Sequence, residues 1–371
     1  LSFLANWSKP EHLNRIATLG LRGNRQYIDS FLPHGSSRKQ YLKANQRGLA
    51  CHWMAGNVQV LGMFALLQSI LTKNVNLLKI SSKDEGVFAG LLNAFENLTH
   101  TTGGGYTIHG NDLLKTIAIV YFSHKDIELG EIMSKAANIR IAWGGREAVE
   151  SVTGYPSNFD TEDLIFGPKL SFSVVAKESL STERSARKLA RKVAVDASVF
   201  DQTGCTSPHN LFIEKNGEIS PEEFCGLLAE GMKKSALQIP KGEESVEQIS
   251  AIHSIRGLYD FKGNVWSSDD STWTVVYSDD MNLSSPVYSR VIMVHPVDHI
   301  NETLQFIDDN IQTVGLSAAG QKAINFAELA VEKGVMRCPE IGRMLNFESP
   351  WDGIFLMDRM VRWSTLGGPL I

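Results

Sequence analysis

The sequence contains little cysteine, and its cysteines are not arranged in pairs. Cys51, Cys205, Cys225 and Cys338 are the four cysteines among 371 residues, and no two of them form a C-x-x-C motif. This distribution argues against a disulfide framework and against a zinc site, and it is typical of proteins from a reducing compartment. We therefore expect a cytoplasmic protein without a metal site.

Long apolar runs and blocks of like charge are also missing. The longest apolar run, Val58–Leu71, is interrupted by a glycine and by polar residues, so it is too short and too polar to span a membrane. The 36 basic and 41 acidic residues are well mixed and give a net charge of −5, which does not favour a nucleic-acid partner. A hydrophobic content of 43% is that of an ordinary globular protein, and the length allows two or three domains. Because the chain begins with Leu1 rather than Met, we expect part of the natural amino terminus to be missing.

Segments with strand and helix periodicity alternate along the chain. We predict strands at Gly48–Trp53, Val75–Ile80, Thr116–Phe122, Ile139–Trp143, Ser171–Ala176, Asn210–Glu214, Ser271–Tyr277, Val291–His295 and Gly334–Arg337. We predict helices at Glu11–Ser30, Val58–Thr72, Glu85–Leu98, Asp126–Ala137, Arg146–Val152, Ser181–Ser198, Pro221–Ser235, Ile300–Ile311 and Gln321–Lys333, with a loop at Thr101–Gly110. This alternation predicts an α/β fold with parallel sheets, in which the loops that follow the strands bind ligands.

The pattern restarts near Leu170, which predicts two domains. We expect residues 1–169 to form a dinucleotide-binding domain to which residues 346–371 return. Residues 170–345 then form a smaller α/β domain that carries Cys205.

The loop Phe200–Pro208 is the strongest candidate for a site of chemistry. It lies between a predicted helix and a predicted strand, and Gly204 lets the backbone approach a ligand closely. A cysteine at such a turn can present its sulfur near backbone N–H groups that favour the thiolate. A single cysteine in a chain of this size is more often a small buried residue, so the loop alone leaves both interpretations open.

Motifs in a shared order give the chain a resemblance to the aldehyde dehydrogenase superfamily. They are the turn containing Asn57, the strand ending at Lys79, the Gly144–Gly145 turn, the Phe166–Lys169 turn and the Phe200–Cys205 loop. Within the superfamily the chain looks most like the LuxC-type acyl-CoA and acyl-protein thioester reductases, the fatty-acid reductases of bacterial bioluminescence operons. The segments His52–Val58 and Ser349–Gly353 support this closer match, and the resemblance covers residues 45–365.

The resemblance implies a fold and a set of catalytic residues. It implies an aldehyde-dehydrogenase-like fold, with a doubly wound parallel-sheet cofactor domain and a smaller α/β catalytic domain. It makes Cys205 the nucleophile and places Asn57 near the family's oxyanion-binding asparagine, where its amide would bind a developing negative charge. Taken alone, Asn57 is better explained as a turn residue after Gly56.

The resemblance also implies a cofactor site. Lys79 stands where the family has a lysine that reaches the adenosine ribose, and Gly144 and Gly145 would admit the pyrophosphate to a helix amino terminus. Ser81 and Ser82 follow, and Ser82 occupies the position where NAD-specific relatives carry a glutamate. Since a carboxylate there would repel a 2′-phosphate, we expect NADPH. Each of these residues, taken alone, is also compatible with an ordinary strand end or turn.

Two departures from the family pattern bear on the reaction. Oxidising members have a general-base glutamate where this chain has Ile165 in the segment Ile165–Lys169, which favours thioester reduction over oxidation to an acid. Glu162 and Asp163 are the nearby carboxylates that could replace that base. The family's glutamate at the nicotinamide ribose has no counterpart within Pro286–Pro296.

These observations predict an NADPH-dependent reductase that converts a long-chain acyl thioester, acyl-CoA or acyl-protein, to a fatty aldehyde. The resemblance also implies a homo-oligomer and acyltransferase or synthetase subunits as partners, with the polar stretch Pro33–Gln46 as an oligomerisation arm. The alternatives are a CoA-acylating or semialdehyde dehydrogenase with a small substrate, and a non-catalytic scaffold subunit. Measuring activity against acyl chain length distinguishes the first alternative from a long-chain reductase. Labelling of Cys205 with iodoacetamide distinguishes a catalytic protein from the scaffold subunit.

Overall fold

The chain folds into two compact units, in a computed structural model that describes residues 2–34, 40–56, 58–84, 86–261 and 264–367. Leu1–Pro168 and Phe347–Ile371 form the first unit, and Lys169–Asn346 form the second. The functional roles assigned to the two units from the sequence remain predictions.

The first unit begins with short helices and then alternates strands with helices. Its elements up to the unit boundary are α1 (Ser2–Trp7), α2 (Pro10–Gly20), β1 (Leu32–Pro33), β2 (Gln40–Gln46), β3 (Leu49–Trp53), α3 (Gln59–Leu71), β4 (Val75–Lys79), α4 (Val87–Leu92), β5 (Thr99–Thr101), β6 (Thr107–His109), α5 (Gly110–Leu114), β7 (Ile117–Val120), α6 (Ile127–Ala136), β8 (Ile139–Trp143), α7 (Arg146–Gly154) and β9 (Glu162–Phe166).

A five-stranded parallel sheet organises this unit. The strand order is β7-β4-β3-β8-β9, so the chain builds outward from β3 through β4 to β7 and then returns to the other side of β3 with β8. The order therefore reverses between β3 and β8. In open parallel sheets such a reversal leaves a crevice at the carboxyl ends of the strands, where ligands bind.

The second unit has a six-stranded sheet. Its elements are β10 (Leu170–Val175), α8 (Glu183–Ser198), β11 (Pro208–Glu214), α9 (Pro221–Gln238), α10 (Val246–Asp260), β12 (Val265–Ser267), β13 (Thr274–Tyr277), β14 (Val291–Val297), β15 (Ile311–Ser317) and α11 (Gly320–Glu332). The strand order is β12-β13-β14-β11-β10-β15, and only the β12–β13 pairing is antiparallel.

Both faces of this sheet are covered, as parallel sheets require. Along β11, Leu211 and Ile213 pack with α8 and α9 on one face, while Phe212 packs on the other face with the cluster that contains Phe326 of α11. Side chains that alternate along a strand therefore belong to two separate cores.

The chain returns to the first unit at its carboxyl end, with α12 (Leu356–Arg359) and β16 (Val361–Gly367). β16 pairs antiparallel with β2, and β2 pairs with β1, which gives a separate three-stranded sheet. The predicted polar stretch Pro33–Gln46 thus includes β2, and residues 35–39 of it lie outside the described residues. Its role in oligomerisation stays a prediction.

Several sequence-based boundaries were wrong. The segment Thr101–Gly110 contains part of the β5–β6 hairpin rather than only a loop. The predicted helix Ile300–Ile311 is a 3₁₀ helix at Ile300–Phe306 followed by β15, and Gly334–Arg337 forms only a single bridge, from Arg337 to Thr313. Ile165 and Phe166 end strand β9 and do not form a turn.

Candidate active site

Cys205 lies in a short loop between a 3₁₀ helix, Val199–Gln202, and strand β11. Its side chain is partly buried. Its carbonyl oxygen accepts a hydrogen bond of 2.7 Å from Ser171 Oγ on the neighbouring strand β10. Within the loop, Ser207 N donates to Gly204 O over 3.0 Å. The cysteine is therefore tied to the sheet by its own backbone.

The residues before this loop have an unusual backbone. Phe200, Asp201 and Gln202 have φ angles of 55°, 47° and 62°, in the left-handed region that non-glycine residues avoid. This conformation costs roughly 1–2 kcal/mol per residue. The fully buried Gln202 amide offsets part of that cost, because its Nε2 donates to the carbonyl oxygens of Pro208 (2.8 Å) and Val291 (2.9 Å).

A second left-handed segment packs against the first. Tyr288, Ser289 and Arg290 have φ angles of 63°, 53° and 64°. Ser289 N donates to Asp201 O over 3.1 Å, and Arg290 Nε donates to Asp201 Oδ1 over 2.6 Å. The Arg290 guanidinium also donates to the carbonyl oxygen of Ile239. Strained backbone that is fixed from several directions in this way is characteristic of functional sites.

Some of the buried polar atoms that lack a hydrogen-bond partner among the described residues lie on or beside these segments. They are Gln202 Oε1, Ser207 Oγ, His209 Nδ1 and Arg290 Nη2, and others lie elsewhere in the chain. Burial lowers the pKa of His209 to about 4, so its imidazole is neutral at pH 7. The ring stacks edge-on against Tyr288, with 4.9 Å between ring centroids. Since buried polar groups are normally satisfied, these four atoms are available to water or to polar groups of a ligand.

The other cysteines have environments that suppress reactivity. Burial raises the pKa of Cys51 to about 12 and that of Cys338 to about 11. Burial also raises the pKa of Cys225, which packs inside the core between the sheet and α9. Because the thiolate is the nucleophile, these three thiols are poor candidates.

The first unit contains a cleft of about 650 Å³ at the carboxyl ends of its parallel strands. The loops after β3, β4, β7 and β8 line it. All five residues predicted to contact a cofactor line this cleft, namely Lys79, Ser81, Ser82, Gly144 and Gly145. Asn57 lies outside the described residues, although its neighbours Ala55 and Gly56 line the cleft.

The side chain of Lys79 has the features of an anion-binding group. It ends β4, and burial lowers its pKa below the ordinary lysine value. Its ammonium lies 5.5 Å from the centre of the Phe122 ring. None of the ion pairs formed among the described residues involves Lys79, so its charge is available to a ligand.

Glycines let the cleft walls come close to a ligand. A Cβ on Gly56 would lie 2.5 Å from Ser81 Oγ, so the loops after β3 and β4 pack with no room for a side chain. Gly145 caps the amino terminus of α7, and a Cβ there would meet no atom within 4 Å. Open space beside a helix amino terminus suits a phosphate group.

The sequence analysis missed part of the cleft. Tyr121–Lys125, the loop after β7, forms one of its walls. A smaller adjoining pocket of about 320 Å³ adds Glu147 and Ser151 from α7 and Tyr155, which follows that helix. The position of the loop directly after the predicted strand Thr116–Phe122 was the signal that could have identified it, since loops after parallel strands line ligand sites.

Two negative findings apply to the described part of the chain. None of its helices combines the length and the apolar character that a membrane crossing needs. Within the described ranges, no three His, Cys, Asp or Glu side chains come together as a metal site.

Several solved structures share the fold of this chain. Over 98% of the chain and 79% of the other structure, it matches the putative aldehyde dehydrogenase PutA of Anabaena variabilis, with a TM-score of 0.62 and 13% identity. The aldehyde dehydrogenase KauB of Pseudomonas aeruginosa matches with a TM-score of 0.67 and 11% identity, over 95% of this chain and 75% of KauB. Indole-3-acetaldehyde dehydrogenase AldA of P. syringae, solved in complex with NAD+, has a TM-score of 0.63 and 10% identity, with 98% and 81% of the two chains covered. The predicted aldehyde-dehydrogenase-like α/β fold is confirmed.

Sequence relatives define the family. The family model described as acyl-CoA reductase (LuxC) matches residues 1–363, and the chain belongs to this family. Long-chain acyl-protein thioester reductase 2 of Photobacterium leiognathi is 28% identical over 369 residues, which cover 97% of this chain and 72% of that protein. The long-chain acyl-protein thioester reductase of Aliivibrio fischeri is 28% identical over 324 residues, which cover 86% of this chain and 63% of the relative. The family predicted from the sequence is thereby confirmed.

Proposed function

We propose that this protein reduces a long-chain acyl thioester to the aldehyde with NADPH, through a thioester on Cys205. The observation that carries the proposal is the fixed, strained loop that holds Cys205 among buried polar atoms without partners. The other three cysteines have thiols with raised pKa values, which leaves Cys205 as the nucleophile of choice. The names of the relatives, long-chain acyl-protein thioester reductases, support the substrate class.

The chemistry assigned to Cys205 has two stages. Its thiolate Sγ forms a bond to the acyl carbonyl carbon, and the bond from that carbon to the donor sulfur breaks with its electron pair, so that CoA or the carrier thiol leaves. NADPH, when bound, supplies a hydride equivalent to the acyl carbon. The resulting thiohemiacetal on Cys205 then collapses, which returns the C–S electron pair to Sγ and releases the aldehyde. A proton from solvent neutralises the departed thiolate, and Asn57 remains the predicted donor to the developing oxyanion.

The cleft of the first unit fits a dinucleotide. Its volume, its position at the carboxyl ends of parallel strands, and the open space at Gly145 suit a pyrophosphate at the amino terminus of α7. Lys79, Ser81 and Ser82 line this cleft, which supports their assignment to the adenosine ribose. Ser82 is small and neutral, so its side chain does not repel a 2′-phosphate as a glutamate at that position would.

Acyl transfer to the protein tests the nucleophile directly. The full chain is incubated with radiolabelled long-chain acyl-CoA, and the label should be retained on wild type and on Cys338→Ala but not on Cys205→Ala. Cys338 is the matched control, because it is the other partly buried cysteine. Label that survives Cys205→Ala overturns the proposal. Profiling of acyl chain length, with NADPH oxidation as the readout, distinguishes a long-chain enzyme from one with a small substrate.

A further inference from the structure

The loop after β7 supplies basic side chains to the cofactor cleft. Ser123, His124 and Lys125 line the cleft beside the loop that carries Lys79 and Ser82. The two loops are adjacent because β4 and β7 are neighbouring parallel strands, with Lys79 opposite Val120. They lie on the side of β4 that faces away from β3.

The charged side chains of this cleft are mainly basic. In the described part of the chain its lining includes three lysines and one histidine, and Glu147 lines only the adjoining pocket. A cleft of that composition favours a ligand with several negative charges. A pyrophosphate at Gly145 explains part of this charge, but β8 and β7 are three strand spacings apart, roughly 14 Å. The basic groups at β7 are therefore far enough from Gly145 to meet a second anionic group of the ligand.

The loop itself has a fixed backbone. Ser123 N donates to Asp126 Oδ2 over 3.0 Å, Asp126 N donates to Ser123 O over 3.0 Å, and Lys125 N donates to Ser123 Oγ over 3.2 Å. These bonds close a turn at the start of α6 and engage the Asp126 carboxylate in that turn. His124 and Lys125 are exposed at its tip, and neither takes part in an ion pair with another described residue. By contrast, Lys115 at the opposite end of β7 pairs with Asp112 over 2.7 Å.

We propose that His124 and Lys125 bind the 2′-phosphate of NADPH and so determine the preference for NADPH over NADH. The inference rests on the proposed function, since it assigns residues to the cofactor named there. A lysine ammonium and an imidazole N–H both donate hydrogen bonds to phosphate oxygens. On the neighbouring loop, Ser81 and Ser82 leave space for the phosphate, and Lys79 adds charge from the strand end.

Equilibrium binding of two fragments tests the inference without turnover. The dissociation constants of 2′,5′-ADP and of 5′-AMP are measured by calorimetry for the full chain, for the double variant His124→Ala/Lys125→Ala, and for Lys115→Ala. The double variant should bind 2′,5′-ADP about tenfold or more weakly, since it loses charge-assisted hydrogen bonds. Its affinity for 5′-AMP should stay within about twofold of wild type, because that ligand lacks the 2′-phosphate. Lys115→Ala controls for the loss of a surface lysine, and Lys125→Arg should retain most of the affinity.

The binding results separate a failure of the NADPH proposal from a failure of the role given to His124 and Lys125. If wild type binds 2′,5′-ADP no more tightly than 5′-AMP, the NADPH part of the proposed function fails. If wild type prefers 2′,5′-ADP and the double variant keeps the same preference, the role of His124 and Lys125 is overturned. An equal loss for both ligands also overturns it, because the two residues would then act on the whole adenosine pocket.

Discussion

The buried pair between Asp201 and Arg290 offers a quantitative test of how the cysteine loop is held. The Arg290 side chain is 1% exposed and that of Asp201 is 26% exposed, with 2.6 Å between Nε and Oδ1. In Asp201→Ala the guanidinium stays buried without its carboxylate, so the free energy of unfolding should fall by about 3–5 kcal/mol. In Arg290→Met the carboxylate is partly exposed and still accepts from Gly242 N, so the loss should be about 1–3 kcal/mol.

Urea unfolding of both single variants and the double variant measures this asymmetry. The double variant should lose less than the sum of the single losses, because each single change leaves the other member of the same pair without its partner, whereas the double change removes both. Lys215→Ala, which breaks the exposed pair with Asp298, is the control and should cost less than about 1 kcal/mol. If the two single variants lose equal and additive amounts of unfolding free energy, no larger than the loss in Lys215→Ala, the reasoning that this pair fixes the left-handed segments is refuted. The acylation rate of Cys205 in the same variants then reports whether the fixed backbone serves the chemistry.

Three further outcomes follow from the structure. Burial raises the pKa of Asp196 from 3.8 to about 7, so the folded state binds its proton more tightly than the unfolded state does. The free energy of unfolding of wild type should therefore fall as pH rises from about 4 to about 7, by at most about 1.4 kcal/mol per pH unit. Urea titrations at several pH values should show this decline for wild type but not for Asp196→Asn. Ser82→Glu should lower kcat/KM with NADPH selectively, and equal losses with NADPH and NADH would place the adenosine pocket elsewhere. Without NADPH, the acyl group on Cys205 should persist for many turnover times. Rapid release of free fatty acid, measured in samples quenched at successive times, would show that an unrecognised base activates water.

Much of the sheet could be predicted because local periodicity and tertiary pairing agree. Strand Ile139–Trp143 has the predicted bounds, and all of its residues are buried and all but Arg140 are apolar, as in central parallel strands. The candidate residues at its end, Gly144 and Gly145, then reach the cleft simply because loops after parallel strands share one edge. The helix predicted at Ile300–Ile311 was wrong because its isoleucines and leucine recur at helical spacing although the segment does not form one helix. Ile311 nevertheless begins β15, which pairs along β10, so the long-range sheet decided its structure.

The geometry of the cysteine loop could not be predicted from its own residues. Positive φ angles are usually signalled by glycine, asparagine or aspartate, and of the three left-handed residues Phe200 and Gln202 carry no such signal. Their partners Arg290 and Val291 stand 89 residues further along the chain, and the contacts to them exist only after β11 and β14 pair. The sequence could single out Cys205 as the candidate nucleophile. Only the fold could show which distant residues fix the loop that carries it.

The surroundings of strand β9 explain why a bound acyl group should escape hydrolysis. Ile165 stands where oxidising relatives are expected to keep a general base, and its side chain packs against the apolar cluster that contains Cys51 and Trp53. The nearby carboxylates are already engaged. Glu162 forms ion pairs with two arginines, one of them Arg47 at 2.8 Å, and Asp163 accepts from Arg140 Nε at 2.6 Å. Because hydrogen bonds and ion pairs with arginines already occupy both carboxylates, we expect neither to activate water, so that removal of the acyl group should depend on hydride.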